Sequence, residues 1–273
     1  MSTRLAPGLR HGRAAALVAG VICGLLLLSA CSDSPPDDPP AKSADLYQVD
    51  GQTSHLECRG TGSPTLVFLG GMGFTTTTWD EVREDLGPDV RTCAWDYPGV
   101  GHSTGAQMMT AATAASSLHG TLRAAGVPQP VVLVGHSIAG LTTRLYVGEH
   151  PDDVAGVVLL DPTVPSFARM YDDKEFRPDW DGTMSARQAE GVTAWPDIPF
   201  EILLHDPAVY AAEEVWSEAV EAQWGTDEAS FATLTPQGTV KVVRDSGHNV
   251  HLDAPDVAVA AIRRVVETVA AKN

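Results

Sequence analysis

The stretch from Pro130 to Gly140, PVVLVGHSIAG, constrains the fold of this chain more than any other segment. Its apolar, β-favouring residues end at Gly135 and are followed by a helix-compatible segment, LTTRLYVGEH. This order is typical of a buried strand, a sharp turn and a helix. The turn carries Ser137 two residues after Gly135 and three before Gly140, a variant of the G-x-S-x-G pattern with Ala139 in the fifth position.

Such a turn predicts a reactive serine. The residue at its apex adopts a strained backbone conformation, and the neighbouring glycines remove side chains that would collide. We therefore expect the hydroxyl of Ser137 to be pushed into the open, at the carboxyl end of the strand and beside the unpaired N–H groups of the next helix. There it could attack a carbonyl carbon while those N–H groups stabilise the developing negative charge.

Length and charge limit the possible organisation and partners. The chain has 273 residues, which favours one domain with a sizeable core once a targeting segment is set aside. Its 35 acidic against 18 basic residues give a net charge of −17. This excess argues against nucleic acid or an anionic membrane face as a partner.

Residues 1–31 are typical of an export signal. A basic leader precedes an apolar stretch that is short for a membrane span, and the stretch ends in Leu-Ser-Ala-Cys31, which resembles a bacterial lipobox. We expect Cys31 to be lipidated and to become the new N-terminus, with an ordinary cleaved signal or an uncleaved anchor as alternatives. Residues 32–45 are rich in proline and acid and are predicted to be a disordered tether, which would hold an exported protein on the outer side of the cell membrane.

From Leu46 onwards, apolar strands alternate with helical segments. This order predicts an α/β fold whose mostly parallel sheet is covered by helices on both faces. The regularity breaks after Pro162, and residues 163–198 carry several aromatic side chains among charges and prolines, which we interpret as a lid. After the lid, a helix is predicted from about Pro207 to Trp224.

Four segments, in this order, resemble the α/β-hydrolase superfamily. They are LGGMG at 69–73, DYPGVGHS at 96–103, GHSIAG at 135–140 and SGHNVHLDAP at 246–255. The resemblance covers nearly the whole body of the chain and identifies residues 46–273 as a hydrolase domain. It implies an eight-stranded, mostly parallel sheet with helices on both faces and a small lid insertion.

The resemblance also implies a Ser-His-Asp triad. Ser137 would be the nucleophile, and a serine in place of aspartate favours acyl transfer over the dehalogenase and epoxide-hydrolase branches. His248 would be the general base, with His251 as a packing or pocket-lining residue. For the acid that orients the histidine, Asp161 at the end of GVVLLD is favoured, and Asp206 after PFEILL is the alternative.

The oxyanion hole is expected from two backbone N–H groups, those of Met72 and Ile138. Here the sequence departs from the family, because Gly70 stands where a histidine is usual, and this leaves open how the loop is braced. Asp96 and Ser103 are interpreted as residues that brace a neighbouring loop.

Two cysteines, Cys58 and Cys93, remain in the body of the chain. In an exported protein an even number of cysteines favours a disulfide, with two free buried thiols as the alternative. The resemblance supports the prediction of a disulfide, since it places these residues on the second and fourth strands, which pair in the family. No metal site is expected at the segment HNVH that contains His248 and His251, because no further ligand cluster accompanies it, and no cofactor is expected.

These features together predict a serine hydrolase that cleaves a small carboxylic ester through an acyl-enzyme. An amidase, an N-terminal peptidase or a perhydrolase with the same triad is an alternative. Another is a non-catalytic surface lipoprotein that uses the fold as a binding module, because a fold alone does not establish activity. The oligomeric state is left open.

Overall fold

The computed structural model describes residues 45–105, 108–170, 179–213 and 217–272. The predicted signal segment with Cys31, and all but the last residue of the predicted tether, lie outside these ranges. Among the described residues, no helix is both long enough and apolar enough to cross a bilayer.

Eight strands form one sheet within the described residues, in the order β1-β2-β4-β3-β5-β6-β7-β8. The β1–β2 and β2–β4 pairs are antiparallel and all others are parallel, which confirms the predicted sheet. The strands are β1 Leu46–Val49, β2 Gln52–Arg59, β3 Leu66–Leu69, β4 Thr92–Trp95, β5 Val131–His136, β6 Val154–Leu160, β7 Phe200–Leu204 and β8 Gly238–Val242.

The helices connect these strands and cover the sheet. Those described are α1 Asp80–Leu86, α2 Ala111–Ala124, α3 Ala139–Glu149, α4 Pro165–Met170, α5 Gly182–Glu190, α6 Pro207–Glu213, α7 Glu218–Phe231, α8 Val250–Asp253 and α9 Pro255–Ala270.

The side chains of β3 alternate between two apolar clusters, which shows why both faces of the sheet are covered. Leu66 and Phe68 pack in one apolar cluster with residues of α1 and α9. Val67 and Leu69 belong to a second cluster, which contains residues of α2 and α3. Because successive side chains of a strand point to opposite faces, a strand that is apolar throughout needs a helical layer on each side.

The described tryptophans of the predicted lid serve as packing residues. Helices α4 and α5 lie in residues 163–198, and α5 packs against α2 and α3. The backbone N–H of Ala111 donates to the hydroxyl of Ser185, which fixes α5 to the start of α2. Trp180 and Trp195 are 4% and 6% exposed and belong to the core cluster. These two side chains therefore pack the insertion onto the core, while residues 171–178 lie outside the described ranges.

The helix predicted from Pro207 to Trp224 is wrong in its extent. The structure describes α6 over Pro207–Glu213 and a separate α7 from Glu218 to Phe231, and residues 214–216 lie outside the described ranges. The hydroxyl of Ser217 accepts a hydrogen bond from the N–H of Val220, as an N-capping serine does. A new helix therefore begins there, and it continues beyond the predicted end.

Cys58 and Cys93 form a disulfide, as predicted. They lie directly opposite each other in the antiparallel β2–β4 pair, with sulfur atoms 2.09 Å apart. The bond joins the antiparallel part of the sheet to its parallel part and closes a loop between residues 35 apart in sequence.

Replacing Cys58 and Cys93 together by alanine is expected to lower the free energy of unfolding by about 4 kcal/mol, because the open chain regains loop-closure entropy. Denaturant unfolding with and without a reducing agent measures this. The reductant should destabilise the wild type and leave the double variant unchanged. Equal stability of the oxidised wild type and the double variant would contradict the prediction.

Candidate active site

The predicted site residues lie where neighbouring strands end. Strands β5, β6 and β7 stop just before Ser137, Asp161 and His205, and His248 follows β8, the next strand in the sheet. The carboxyl ends of parallel strands share one edge of the sheet, and α/β proteins bind their ligands there. These side chains therefore converge, although Ser137 and His248 are 111 residues apart in sequence.

The turn at Ser137 has the strained backbone that its sequence predicts. Ser137 has a φ of +56°, in the left-handed region that is costly for residues other than glycine. A side-chain carbon at Gly135 would come within 2.9 Å of the Cβ of Ala139, and one at Gly140 within 2.6 Å of the Cβ of Pro162. The small residues around the serine are therefore a steric requirement.

Ser137, His248 and Asp161 form one hydrogen-bonded chain. Oγ of Ser137 lies 2.9 Å from Nε2 of His248, and Nδ1 of the same ring lies 2.6 Å from Oδ2 of Asp161. Because an ionised carboxylate only accepts, Nδ1 carries a hydrogen and Nε2 of a neutral ring is free to accept the proton of the serine. Such an arrangement can activate a hydroxyl as a nucleophile.

The hydroxyl of Ser137 is less open than the sequence suggested. The residue is only 8% exposed, since His248 lies on one side and the loop at Gly71 on another. A reactant would therefore approach Ser137 past residues of these two loops, rather than from open solvent.

Asp206, the alternative acid, has different partners. Its carboxylate accepts hydrogen bonds from the N–H groups of Ala208 and Asp245, and it lies 3.6 Å from Nη1 of Arg244. The backbone donors hold the pKa of Asp206 below its ordinary value. Asp206 thus braces the start of α6 and the loop after β8, while Asp161 faces His248.

Asp161 also contacts a second histidine. Its Oδ1 accepts from the backbone N–H of His205 at 3.0 Å and from Nδ1 of that ring at 2.7 Å. Nε2 of His205 lies 2.7 Å from Oε1 of Glu221. Burial alone would raise the pKa of Asp161, but the hydrogen bonds from His205 and His248 bring it below its usual value. Burial disfavours the charged form of His205, yet Asp161 and Glu221 together raise the pKa of His205.

Glu228 lies close to Asp161 and His205. The residue is fully buried, and a hydrogen bond from the side chain of Trp224 favours its ionised form. Burial, followed by the negative charge of Asp161, raises the pKa of Glu228 well above its ordinary value. Burial and the neighbouring Asp161 therefore favour the protonated, neutral form of Glu228.

The glycine loop after β3 lies directly against the serine. A side-chain carbon at Gly71 would come within 3.2 Å of the Cβ of Ser137, so the backbone approaches closely there. Met72 follows Gly71 in this loop, and Ile138 directly follows Ser137. At Gly70, the family's usual histidine is replaced by contact with Phe74, whose Cβ lies 3.1 Å from the position of an added side-chain carbon.

Two further histidines support the site by packing. Nε2 of His136 donates to the carbonyl of His248 at 2.9 Å, and its ring stacks on Phe74. His251 is buried, and its Nε2 lies 2.9 Å from the hydroxyl of Thr78. Burial, with a smaller contribution from His248, lowers the pKa of His251 to about 4. His251 is thus a neutral packing residue, in agreement with its sequence interpretation.

Asp96 braces the loops near the site. It is fully buried, and its carboxylate accepts from the N–H groups of Thr76 and His102 and pairs with Nδ1 of His55 at 2.8 Å. The hydroxyl of Ser103 donates to the carbonyl of Asp96. Asp96 therefore fixes the segment after the glycine loop, in the supporting position that the sequence predicts.

Sequence reasoning missed His205 and Glu221. His205 had a usable signal, because it follows an apolar strand and a buried parallel strand delivers the next residue to the shared edge. The register of the β6–β7 pair agrees with this. Leu160 pairs with Leu203, so Asp161 and His205 follow that pair by one and two residues on neighbouring strands. Glu221 had no such signal, because it lies on α7, whose start was not predicted.

Two groups of described residues bring metal-ligating atoms within 4.8 Å of one another. In one of them, His119 and His150 accompany Asp153, but the two rings stack face to face at 3.8 Å and 8°. Lone pairs in parallel ring planes do not converge on one ion. The other group consists of Asp161, His205 and Glu228, where both ring nitrogens of His205 already face carboxylates.

Known proteins resemble this chain in sequence. A family model described as the alpha/beta hydrolase fold matches residues 64–216. An uncharacterised protein of Bacillus subtilis (strain 168) is 26% identical over 235 residues, which cover 79% of this chain and 89% of that protein. Lipase LipV of Mycobacterium tuberculosis is 30% identical over 164 residues, which cover 58% of this chain and 59% of the lipase.

A solved structure is similar in fold. The thermophilic esterase from Thermogutta terrifontis matches with a TM-score of 0.60 at 18% identity, over 82% of this chain and 98% of that chain. At this identity the likeness concerns the arrangement of strands and helices.

Glu228→Gln is expected to stabilise the protein increasingly as the pH rises above 4.5, the ordinary pKa of a glutamate. The raised pKa means that the folded state keeps a proton that the unfolded chain releases. The wild type therefore loses stability relative to the variant by about 1.4 kcal/mol per pH unit until the folded group ionises. Denaturant unfolding at several pH values measures this difference.

Glu218→Gln, at an exposed position on the same helix, is the matched control and should show little change with pH. A difference between Glu228→Gln and wild type that stays constant from pH 5 to 8 would contradict a buried neutral Glu228.

Proposed function

Because the chain belongs to the α/β-hydrolase family, we propose that it is a serine hydrolase that cleaves a small carboxylic ester through an acyl-enzyme. The observation that carries this proposal is the hydrogen-bonded chain from Ser137 through His248 to Asp161. A nucleophile, a base and an orienting acid are in direct contact there, at the strand edge where α/β proteins bind their ligands.

In the first half of the reaction, Oγ of Ser137 attacks the ester carbonyl while Nε2 of His248 takes the hydroxyl proton. The carboxylate of Asp161 stabilises the imidazolium that results. The backbone N–H groups of Met72 and Ile138 are the proposed donors to the carbonyl oxygen as it gains negative charge. His248 then passes the proton to the leaving alcohol as the tetrahedral intermediate collapses to the acyl-enzyme.

In the second half, water attacks the acyl group on Ser137. His248 accepts a proton from this water and returns it to the serine oxygen as the acid product leaves. The two halves use the same hydrogen bonds, so one arrangement of Ser137, His248 and Asp161 serves both. The reaction needs no redox step or group carrier.

Ester hydrolysis is supported over amide hydrolysis by the relatives. LipV is named a lipase, and the similar solved structure is named an esterase. The carboxylates that would favour a substrate with a basic amine, Asp172, Asp173 and Glu175, lie outside the described residues. On the names of these relatives we propose ester hydrolysis, and the hydrogen-bonded chain from Ser137 to Asp161 favours it over a binding module without activity.

We also propose that the protein is exported and anchored by a lipid on Cys31. The lipobox-like tetrapeptide before the acidic, proline-rich segment supports this. The disulfide between Cys58 and Cys93 supports export as well, since such bonds persist in oxidising compartments.

A fluorophosphonate probe is expected to label the wild type and not Ser137→Ala, because the probe reacts with an activated serine. Asp161→Asn should reduce turnover of a short p-nitrophenyl ester by about 10⁴-fold, since the amide favours the wrong tautomer of His248. Asp206→Asn is the matched control and should retain labelling.

An unlabelled wild type would contradict the proposed function. Loss of labelling and turnover in Asp206→Asn alone would contradict the choice of Asp161 as the acid.

Cys31→Ser is expected to remove the anchor, because serine has no thiol for lipid attachment. The variant should leave the membrane fraction or accumulate as an unprocessed precursor with altered mobility. Fractionation and gel mobility of the full chain measure this, and unchanged retention and mobility would contradict lipidation.

A further inference from the structure

The contact between Asp161 and His205 extends the site beyond the three proposed catalytic residues. We propose that His205 is a positioning residue for Asp161, holding one carboxylate oxygen so that the other faces His248, and that Glu221 orients the His205 ring from its far side. This inference rests on the proposed function, because it assigns a role to residues that act through Asp161.

Hydrogen bonds to both oxygens of Asp161 fix the orientation of its carboxylate. Oδ1 of Asp161 receives two donors from one residue, the backbone N–H of His205 at 3.0 Å and Nδ1 of its ring at 2.7 Å. Oδ2 is then left for Nδ1 of His248 at 2.6 Å. Asp161 is fully buried and has a φ of +45°, so solvent does not hold it and its backbone is strained. The donors from His205 replace that solvent.

The ring of His205 is itself held on three sides. Nε2 faces Oε1 of Glu221 at 2.7 Å, and the ring packs against Tyr210 and Trp224 with centroid distances of 4.3 and 5.1 Å. These three residues come from α6 and α7. The two helices therefore set the position of the ring, and the ring sets the position of Asp161.

Both ring nitrogens of His205 face carboxylate oxygens, which accept hydrogen bonds and do not donate them when ionised. The ring is therefore an imidazolium between Asp161 and Glu221, and the pKa of His205 is raised accordingly. Among the described residues, Glu228 and the phenol of Tyr210 also lie close to the ring, and burial raises the pKa of Glu228 well above its ordinary value.

This charge has a consequence for His248. When His248 takes the proton of the serine, Asp161 faces two imidazolium rings at once. A positive neighbour disfavours a second positive charge, and Glu221 offsets part of the charge of His205. Replacing His205 by a neutral residue should therefore make His248 easier to protonate.

Two variants of His205 distinguish the effect of its hydrogen bond to Asp161 from the effect of its positive charge. His205→Asn keeps a side-chain N–H near the place of Nδ1 and removes the positive charge, while His205→Leu removes both. We expect kcat of His205→Leu to fall about 100-fold with little change in KM, because an unsatisfied Asp161 no longer holds His248. His205→Asn should keep kcat within about tenfold, which amounts to rescue by the residue that retains the donor.

The pH profile is the readout that a merely structural role would not move. The acid limb of kcat/KM reports the protonation of His248, and in His205→Asn it should shift upward by about one pH unit. Titration of the His248 ring followed by NMR should show the same shift without any substrate. His119→Asn, at a half-buried histidine outside the site, is the matched control and should leave both readouts unchanged.

The outcomes distinguish this inference from the proposed function. A wild type without esterase activity overturns the proposed function, while the NMR titration still tests the coupling between His205 and His248. An unmoved acid limb and unmoved His248 titration in a folded His205→Asn overturn the positioning role. So does His205→Leu if, with its folding verified by thermal unfolding, it keeps the wild-type kcat.

Discussion

The buried carboxylate of Asp161 is the constraint on which the rest of the site depends. An ionised group taken wholly out of water is costly unless donors replace the lost solvent. Here each carboxylate oxygen faces a histidine, one at the end of β7 and one after β8. The charge is therefore tolerated only while these chain segments keep their register, so that the integrity of the sheet and the chemistry depend on one another.

The charges around Asp161 are balanced locally. His205 lies between two carboxylates, Asp161 and Glu221, while burial raises the pKa of Glu228 and favours its neutral form. A second buried anion next to Asp161 would repel it strongly in this poorly solvated region. The cationic ring of His205 and the raised pKa of Glu228 thus limit the repulsion among three carboxyl groups that lie close together.

Much of the fold and the core of the site follow from the sequence, because they are encoded by local patterns. Apolar runs predict the strands, and a residue that directly follows such a run, like Ser137 or Asp161, is delivered to the shared edge. The partners from α7 were not predictable in this way. The helix starts at Glu218 because the side chain of Ser217 caps it. The sequence on both sides of Ser217 is compatible with a helix, so it does not indicate this break. The burial of Ser137 likewise depends on loops that meet only in the folded chain.

Helix α7 carries an inward-facing stripe at Glu221, Trp224 and Glu228, spaced by three and four residues as neighbours on one helical face are. Most helices that cover a sheet present an apolar stripe, which tolerates exchange among aliphatic side chains of similar volume. This stripe alternates acid, indole and acid, so an aliphatic exchange at either acid would alter the charge beside Asp161. Sequence divergence along α7 is therefore expected to be correlated with changes at the ends of β6 and β7, which lie far away in the chain.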